Sequence, residues 1–247
     1  MHEASLYPEN SFLTLTYDQE HLPKDNSLHV DHFQLFMKRL RKMYAQKKIR
    51  YYHCGEYGEK LSRPHYHALL FNHDFEDKRL FTVREGNRLY TSDILSGLWP
   101  QGYSVIGAVT FESAAYVARY ILKKVTGEKA EQHYGTLRPE YTTMSRRPGI
   151  ASEWFEKYRT DVYSADRVIV RGVSTRPPRY YDSLLNKSDP ALMAWLKIQR
   201  EKNEHFVNDV VNGRIIRESD SSQRRLLVKE EVKKAQISTL RRHQDGV

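Results

Sequence analysis

The sequence predicts an α+β protein, and three observations carry that prediction. Residues 11–17 are rich in β-formers and alternate between two faces. Two more strand-like runs, 49–56 and 64–72, lie close enough in sequence to pair as an antiparallel hairpin. Segments with helical periodicity and capping signals occupy 31–44, 111–125 and the chain from 189 onward.

The elements follow in order. In the first strand Phe12, Thr14 and Thr16 share one face, and Leu13, Leu15 and Tyr17 share the other. A loop through Pro23 and Asn26 leads to a helix, for which Asp31 is the predicted cap with Gln34 as its capping-box partner. Phe33, Phe36, Met37, Leu40 and Tyr44 recur at helical spacing, with Lys38, Arg39, Arg41, Lys42, Lys47 and Lys48 filling the basic remainder. Gly55 and Gly58 bracket Glu56 and predict a turn there. The strand 64–72 is entered through Pro64. Residues 73–90 read as a charged, irregular excursion. Ser92 caps a short helix ending near Trp99, and 102–109 is another strand. Thr110 caps a helix from Phe111 to about Val125, closed by Gly127. On it Ala114, Ala118, Ile121, Leu122 and Val125 form an apolar stripe, with Tyr116, Tyr120, Lys123 and Lys124 opposite. If the tyrosines face the sheet, that stripe needs another cover, and Trp154, Phe155 and Tyr158 are the expected candidates. Residues 154–163 read as helix, 168–173 as strand and 176–181 as extended. Two helices are expected after Pro190 and after Ser221-Ser222, the second running toward His243.

Composition narrows the partner. Of 247 residues 39% are hydrophobic, enough for a core, and the formal charge is +9 with a pI of about 9.4. That balance favours a polyanion, most often nucleic acid. The single cysteine, Cys54, excludes an internal disulfide and any Cys-rich zinc module, and fits a reducing compartment. No run reaches the ~18 apolar residues of a membrane span, and the first residues lack a signal-peptide layout. The expectation is a cytosolic protein without a membrane partner.

The chemistry concentrates in three places. His65 and His67 alternate with Tyr66 on one strand, so both imidazoles point to the same face and form half a metal site. Glu56, at the end of the preceding strand, is favoured as the carboxylate that completes it, with Glu59 as the rival. Two histidines and one carboxylate with open positions suit Mg²⁺ or Mn²⁺ acting on phosphate; iron oxygenation and zinc hydrolysis remain open on the ligand set alone. Tyr116 and Tyr120 stack one turn apart with Lys123 one turn further. Tyrosine, with a pKa of ~10, attacks a phosphodiester when a cation polarises the phosphate. The product is a phosphotyrosine that keeps the bond energy for rejoining.

On these residues the chain resembles the HUH endonucleases, and within them the replication initiators of microviruses, most closely the gokushovirus kind. The carrying stretches are Phe12-Leu13-Thr14-Leu15-Thr16-Tyr17, Cys54-Gly55-Glu56-Tyr57-Gly58 with Arg63-Pro64-His65-Tyr66-His67, and Tyr116 through Lys124. Arg146-Arg147-Pro148-Gly149-Ile150 and Pro177-Pro178-Arg179-Tyr180-Tyr181 also look like that branch. Tyr66 departs from the aliphatic residue usual between the histidines. The resemblance implies a central antiparallel sheet of ferredoxin or RRM type with flanking helices over 1–181, and a helical extension over 182–247. It implies His65, His67 and Glu56 as metal ligands, Tyr116 and Tyr120 as nucleophiles, and Lys123 as an aid. The implied activity nicks and rejoins single-stranded origin DNA for rolling-circle replication in a bacterial host's cytoplasm, with the host polymerase and helicase as partners. A transposase or relaxase of the same fold is the alternative within the class, and a non-catalytic DNA-binding or packaging protein is the alternative outside it. Arg63, Lys124, Arg146 and Arg147 are expected to meet phosphates, and Tyr17 to stack on bases.

Overall fold

A computed structural model describes residues 1–58, 61–202, 206–211 and 214–238, with side chains omitted for 120–123, 206–218 and 236–238. After a 3-10 turn at Ala4–Leu6, the elements are β1 (Asn10–Tyr17), α1 (Val30–Met43), β2 (Arg50–Tyr57), β3 (Pro64–Phe71), β4 (Arg79–Arg84), β5 (Asn87–Thr91), α2 (Asp93–Leu98), β6 (Gly102–Gly107) and α3 (Phe111–Lys123). Then come α4 (Lys129–Tyr134), β7 (Tyr141–Met144), α5 (Ser152–Ser164), β8 (Val168–Val170), β9 (Val173–Thr175), α6 (Arg179–Ser188), α7 (Pro190–Lys202), β10 (Phe206–Val211), β11 (Arg214–Ser219) and α8 (Gln223–Ser238). Contacts divide the chain into two compact units, Met1–Trp154 and Phe155–Val247. None of the described helices is long and apolar enough to cross a membrane.

The first unit is built on a seven-stranded sheet in the order β4-β5-β6-β1-β3-β2-β7, with antiparallel pairing throughout. The α+β prediction holds. Strand β3 sits inside the sheet and is covered on both faces. On one face Leu13, Leu15, Tyr17, Tyr66, Ala68 and Leu70 pack against Phe33, Phe36, Met37 and Leu40 of α1 and Leu95 and Leu98 of α2. Full burial stabilises each of these side chains by about 1.5–3 kcal/mol relative to exposure. The other face is a smaller cluster of Ala4, Phe12, Cys54, Leu69 and Phe71 with Tyr116 and Val117 of α3.

Several expectations change. Helix α1 starts at Val30 with His29 in the capping position and no side-chain cap, so Asp31 lies in the first turn rather than at the cap. Its entry is fixed from the sheet instead: His29 N–H donates to the Tyr66 hydroxyl (2.9 Å), which donates to His29 C=O (3.0 Å). Residues 73–90 are not irregular, because β4 and β5 form a hairpin that extends the sheet. Their charges read as loop because β4 is an edge strand with both faces largely exposed. The turn expected at Gly55 comes later. Strand β2 runs on through Tyr57, and Gly58 N–H closes the turn onto Arg63 C=O (3.0 Å). Gly55 serves packing instead, since a Cβ there would lie 2.8 Å from the Tyr141 ring. Residues 128–150 contain α4 and β7, and the latter pairs with β2 at the sheet edge.

The second unit holds α6 packed on α7, the β8–β9 hairpin and an aromatic group of Phe155, Tyr163 and Tyr181. Arg200 binds both Asp166 (2.5 Å) and Asp182 (2.8 Å), and the Tyr163 hydroxyl donates to Asp182 (2.8 Å). Helix α6 begins at Arg179, inside the stretch expected to be extended. The region after 202 is not purely helical, because β10 and β11 form an antiparallel hairpin before α8. The expected continuation of α8 toward His243 lies outside the described residues.

Two buried polar groups in the first unit make its stability testable. Glu3 and Arg50 form an ion pair at 2.7 Å with both side chains almost fully buried, and Arg50 also donates to Pro148 C=O (2.8 Å). Removing one partner of a buried pair strands the other charge. Glu3→Ala is therefore expected to cost about 3–5 kcal/mol in urea unfolding. Lys47→Ala, which breaks the exposed pair with Glu9, should cost at most about 1 kcal/mol.

His73 is fully buried beside Tyr44 and Phe75, and neither ring nitrogen finds a hydrogen bond among the described residues. Burial, assisted by the charge of Lys47, pushes its pKa down to about 4 from 6.5. Between those values the unfolded chain binds a proton that the folded chain refuses, so stability falls as pH drops from 6.5 toward 4. Urea midpoints across that window should show a weaker pH dependence for His73→Leu than for the native chain.

Candidate active site

The pairing register builds the site. Glu56 on β2 lies opposite His65 on β3, Cys54 lies opposite His67, and Thr14 on β1 flanks His67 from the other side. Alternation sends Phe12, Thr14, Cys54, Glu56, His65, His67 and Leu69 to the face covered by α3.

Glu56 is buried, and its Oε1 lies 3.0 Å from His65 Nε2 and 2.9 Å from His67 Nε2. The outer ring nitrogens are also held. His65 Nδ1 sits 3.1 Å from Arg63 C=O, which can only accept, so this nitrogen carries the proton. His67 Nδ1 sits 3.1 Å from the Thr14 hydroxyl. With the protons on both Nδ1 atoms, both Nε2 lone pairs point at the Glu56 carboxylate. Two lone pairs and a carboxylate oxygen at hydrogen-bond distance repel one another unless a proton or a cation sits among them. These three groups thus fit a divalent ion, and their ligand atoms lie within 4.8 Å of one another. Burial works against the charged Glu56 carboxyl, but hydrogen bonds from His65 and His67 outweigh it and hold the group well below the usual carboxylate range.

Tyr116 reaches the same point from α3. Its hydroxyl donates to Glu56 Oε1 at 3.3 Å and lies 3.4 Å from His67 Nε2. The Tyr116 ring meets His67 edge-on (5.1 Å between centroids) and Phe12 edge-on (6.4 Å), while Phe12 stacks on His67 (5.5 Å). The helix is started by a capping box between Thr110 and Ser113, as the sequence predicts at Thr110.

The stripe expected to be the buried face of α3 is not. Tyr116 and Val117 are buried against the sheet and Ala118 is exposed. An alanine face offers little area, whereas Tyr116 fills the slot between Phe12 and His67. The additional cover expected from the chain after 150 is not supplied. Trp154 stacks on His2 at 3.6 Å, and Phe155 packs with Tyr163 and Tyr181. The side chains of Tyr120 and Lys123, and residue Glu59, lie outside the described residues.

The expected DNA contacts separate. Arg63 lies at the entry to β3 and donates to Tyr17 C=O (2.9 Å), and Lys124 is exposed just past α3. Arg146 and Arg147 are exposed, but they follow β7 beyond its pairing with Tyr52. The Arg50 end of β2 lies there, roughly 20 Å along the strand from Glu56 at ~3.3 Å per residue. They are therefore not grouped around the tyrosine helix. Arg147 instead shares a basic groove with Arg41, Lys47, Lys48 and Arg50. Tyr17 is corrected outright. Its ring is fully buried and its hydroxyl lies 2.7 Å from that of Tyr66 and 2.6 Å from His32 Nδ1, so no base can stack on it. Thr14, which alternation places on the right face but to which the sequence assigns no role, is the residue missed; its signal was the shared face with His67 across a strand pair.

Residues 10–125 match the family model of the replication-associated protein ORF2. The chain is 38% identical over 198 residues to "Replication-associated protein VP4" of Bdellovibrio phage phiMH2K, covering 76% of this chain and 62% of that protein. It is 34% identical over 210 residues to "Replication-associated protein ORF2" of Spiroplasma virus 4, covering 78% and 63% respectively. It is 34% identical over 194 residues to "Replication-associated protein ORF4" of Chlamydia phage 1, covering 75% and 48%. The chain thus spans about half to three-fifths of the length of these relatives. No solved structure matches it.

Thr14 gives the site a direct test. Thr14→Val removes the hydroxyl beside His67 Nδ1 with little change of shape. It should weaken Mn²⁺ binding by about 10–100-fold, as loss of such a supporting hydrogen bond does. Thr14→Ser should restore most of the affinity, read by calorimetric titration.

Proposed function

The chain belongs, through residues 10–125, to the family of the replication-associated protein ORF2, and we propose that it is a rolling-circle replication initiator that nicks and rejoins single-stranded DNA through a phosphotyrosine. The observation that carries this reading is the Tyr116 hydroxyl 3.3 Å from a buried carboxylate that two same-face histidines share. A metal-independent binding module has no use for that arrangement.

In this reading His65, His67 and Glu56 hold Mg²⁺ or Mn²⁺, which supplies charge to a bound phosphate. The remaining work falls to the chain. Tyr116 is held by Phe12 and His67 so that its oxygen meets the phosphorus from the α3 side. That oxygen forms a bond to phosphorus as the bond to the 3′ oxygen breaks. The tyrosine gives up its proton, and the departing 3′ oxygen takes one up. The 5′ end stays on the protein, and the 3′-OH is left for a host polymerase. Tyr120, one helical turn on, is the second nucleophile that allows strand exchange and closure of a circle, with Lys123 beside it. Arg63 and Lys124 neutralise phosphates near the site, and Arg146 and Arg147 do so at the far end of the sheet. The setting is the cytoplasm of a bacterial host, with a host helicase opening the duplex.

Cleavage of circular single-stranded phage DNA with Mn²⁺, resolved on denaturing gels with and without protease, tests this. A protein-linked 5′ end is expected that requires metal, weakens with Tyr116→Phe, and disappears in the Tyr116→Phe/Tyr120→Phe variant. Cleavage without an adduct would move the reading to a metal-dependent hydrolase. Tight binding with no cleavage would move it to a DNA-binding protein. Removing one phosphate contact, as in Lys124→Ala, should reduce the slope of log affinity against log salt by about one.

A further inference from the structure

A second histidine cluster lies under the sheet, on the face opposite His65 and His67. His29, Asp31 and His32 stand at the start of α1, and their ligand-type atoms lie within 4.8 Å of one another. His29 Nδ1 is 3.7 Å from Asp31 Oδ1, and His32 Nε2 is 3.9 Å from Asp31 Oδ2. Both separations exceed hydrogen-bond reach. The two imidazoles stack nearly parallel, 4.9 Å apart at 16°.

The outer nitrogens decide what the inner ones can do. His29 Nε2 meets the Asp25 carboxylate at 3.1 and 3.2 Å. An ionised carboxylate only accepts, so this nitrogen carries the proton and His29 Nδ1 keeps its lone pair. His32 Nδ1 meets the Tyr17 hydroxyl at 2.6 Å, which in turn meets the Tyr66 hydroxyl at 2.7 Å. The Tyr66 proton goes to His29 C=O at 3.0 Å. Each hydroxyl has one proton. Tyr17 therefore donates to Tyr66, and His32 Nδ1–H donates to Tyr17. His32 Nε2 is then left with its lone pair. Two imidazole lone pairs thus face one carboxylate, each ring oriented from behind by an oxygen partner, as histidine ligands of metals are.

We propose that His29, Asp31 and His32 bind a divalent transition-metal ion, Zn²⁺ by its donor preference, with water completing the shell. Two imidazole nitrogens and a carboxylate oxygen suit Zn²⁺ at about 2.0–2.2 Å per bond. Tetrahedral bonds of that length bring ligand atoms to roughly 3.3 Å from one another, so a contraction of a few tenths of an ångström from 3.7 and 3.9 Å closes the shell. Asp31 is exposed and both histidines are partly so, leaving a path for the ion and room for water. The ion ties the loop before α1 to β1 through Tyr17 and to β3 through Tyr66. It is a structural clamp independent of the chemistry on the other face.

The test uses the untagged full chain, stripped of metal and titrated with Zn²⁺ against a chromophoric chelator. The His65→Ala/His67→Ala variant removes the first cluster. It is expected to keep one equivalent of Zn²⁺, to melt higher with it, and to lose it when His29→Gln/His32→Gln is added. Tyr17→Phe should weaken that equivalent by about 10–100-fold, because it withdraws the oxygen behind His32. Zn-edge absorption of the loaded variant should show a nitrogen and oxygen shell with imidazole scattering. Should the His65/His67 variant fail to fold, His29→Gln/His32→Gln in the native chain should lower the Zn²⁺ stoichiometry by one. A His65→Ala/His67→Ala chain that folds and binds no Zn²⁺, or a stoichiometry unmoved by His29→Gln/His32→Gln, would overturn the proposal.

Discussion

Everything in the first unit depends on strand β3 being buried on both faces. An antiparallel strand usually keeps one face wet, but here both are covered by helices. One face must be apolar, and Tyr66, Ala68 and Leu70 meet α1 across it. The other face has the histidines at its entry and Leu69 and Phe71 beyond them. A slip of one residue in pairing would put His65 and His67 into the α1 core and Leu70 against Tyr116. The hydrophobic pattern therefore fixes the register, and the register in turn fixes the site. Glu56 meets His65 because Tyr51 meets Leu70.

Burying Glu56 would cost several kcal/mol if the carboxylate stood alone. The histidines offset that cost, with help from Tyr116. The hydrogen bonds that do so use protons on the inner imidazole nitrogens, whereas an ion there uses the lone pairs of the same atoms. Ion and protons are alternative ways to neutralise one buried charge, so metal uptake at this site is accompanied by proton release. The supporting contacts to Arg63 C=O and Thr14 are compatible with both states, which is why they hold the rings in place with or without an ion.

The parts of the fold legible in the sequence were those where one physical signal dominates. Strands β1 to β3 announced themselves by alternation, α2 and α3 by their caps at Ser92 and Thr110. What failed depended on partners distant in sequence. The start of α1 is set by Tyr66, not by the local Asp31 signal. The β4–β5 hairpin hides behind exposed charge. The α3 face was misjudged because hydropathy ranks alanine above tyrosine, while the sheet rewarded the larger ring. At the site, alternation alone brought His65 and His67 to one face, and hairpin proximity nominated Glu56. Nothing local told Tyr17 from an exposed aromatic, since its burial comes from Trp99, Tyr66 and His32.

Tyr66 connects these threads. The resemblance leads one to expect an aliphatic residue between the two histidines, which would only fill the core. A tyrosine there brings a hydroxyl into a buried place, and a buried hydroxyl needs partners. It finds them in Tyr17 and in the backbone of His29. That choice has two consequences. It fixes where α1 begins, and it carries a chain of hydrogen bonds to His32, setting the orientation of that ring. One substitution on the hidden side of the histidine strand thus explains both the displaced helix cap and the ordered histidine cluster beneath the sheet. Neither follows from the residues at those places taken alone.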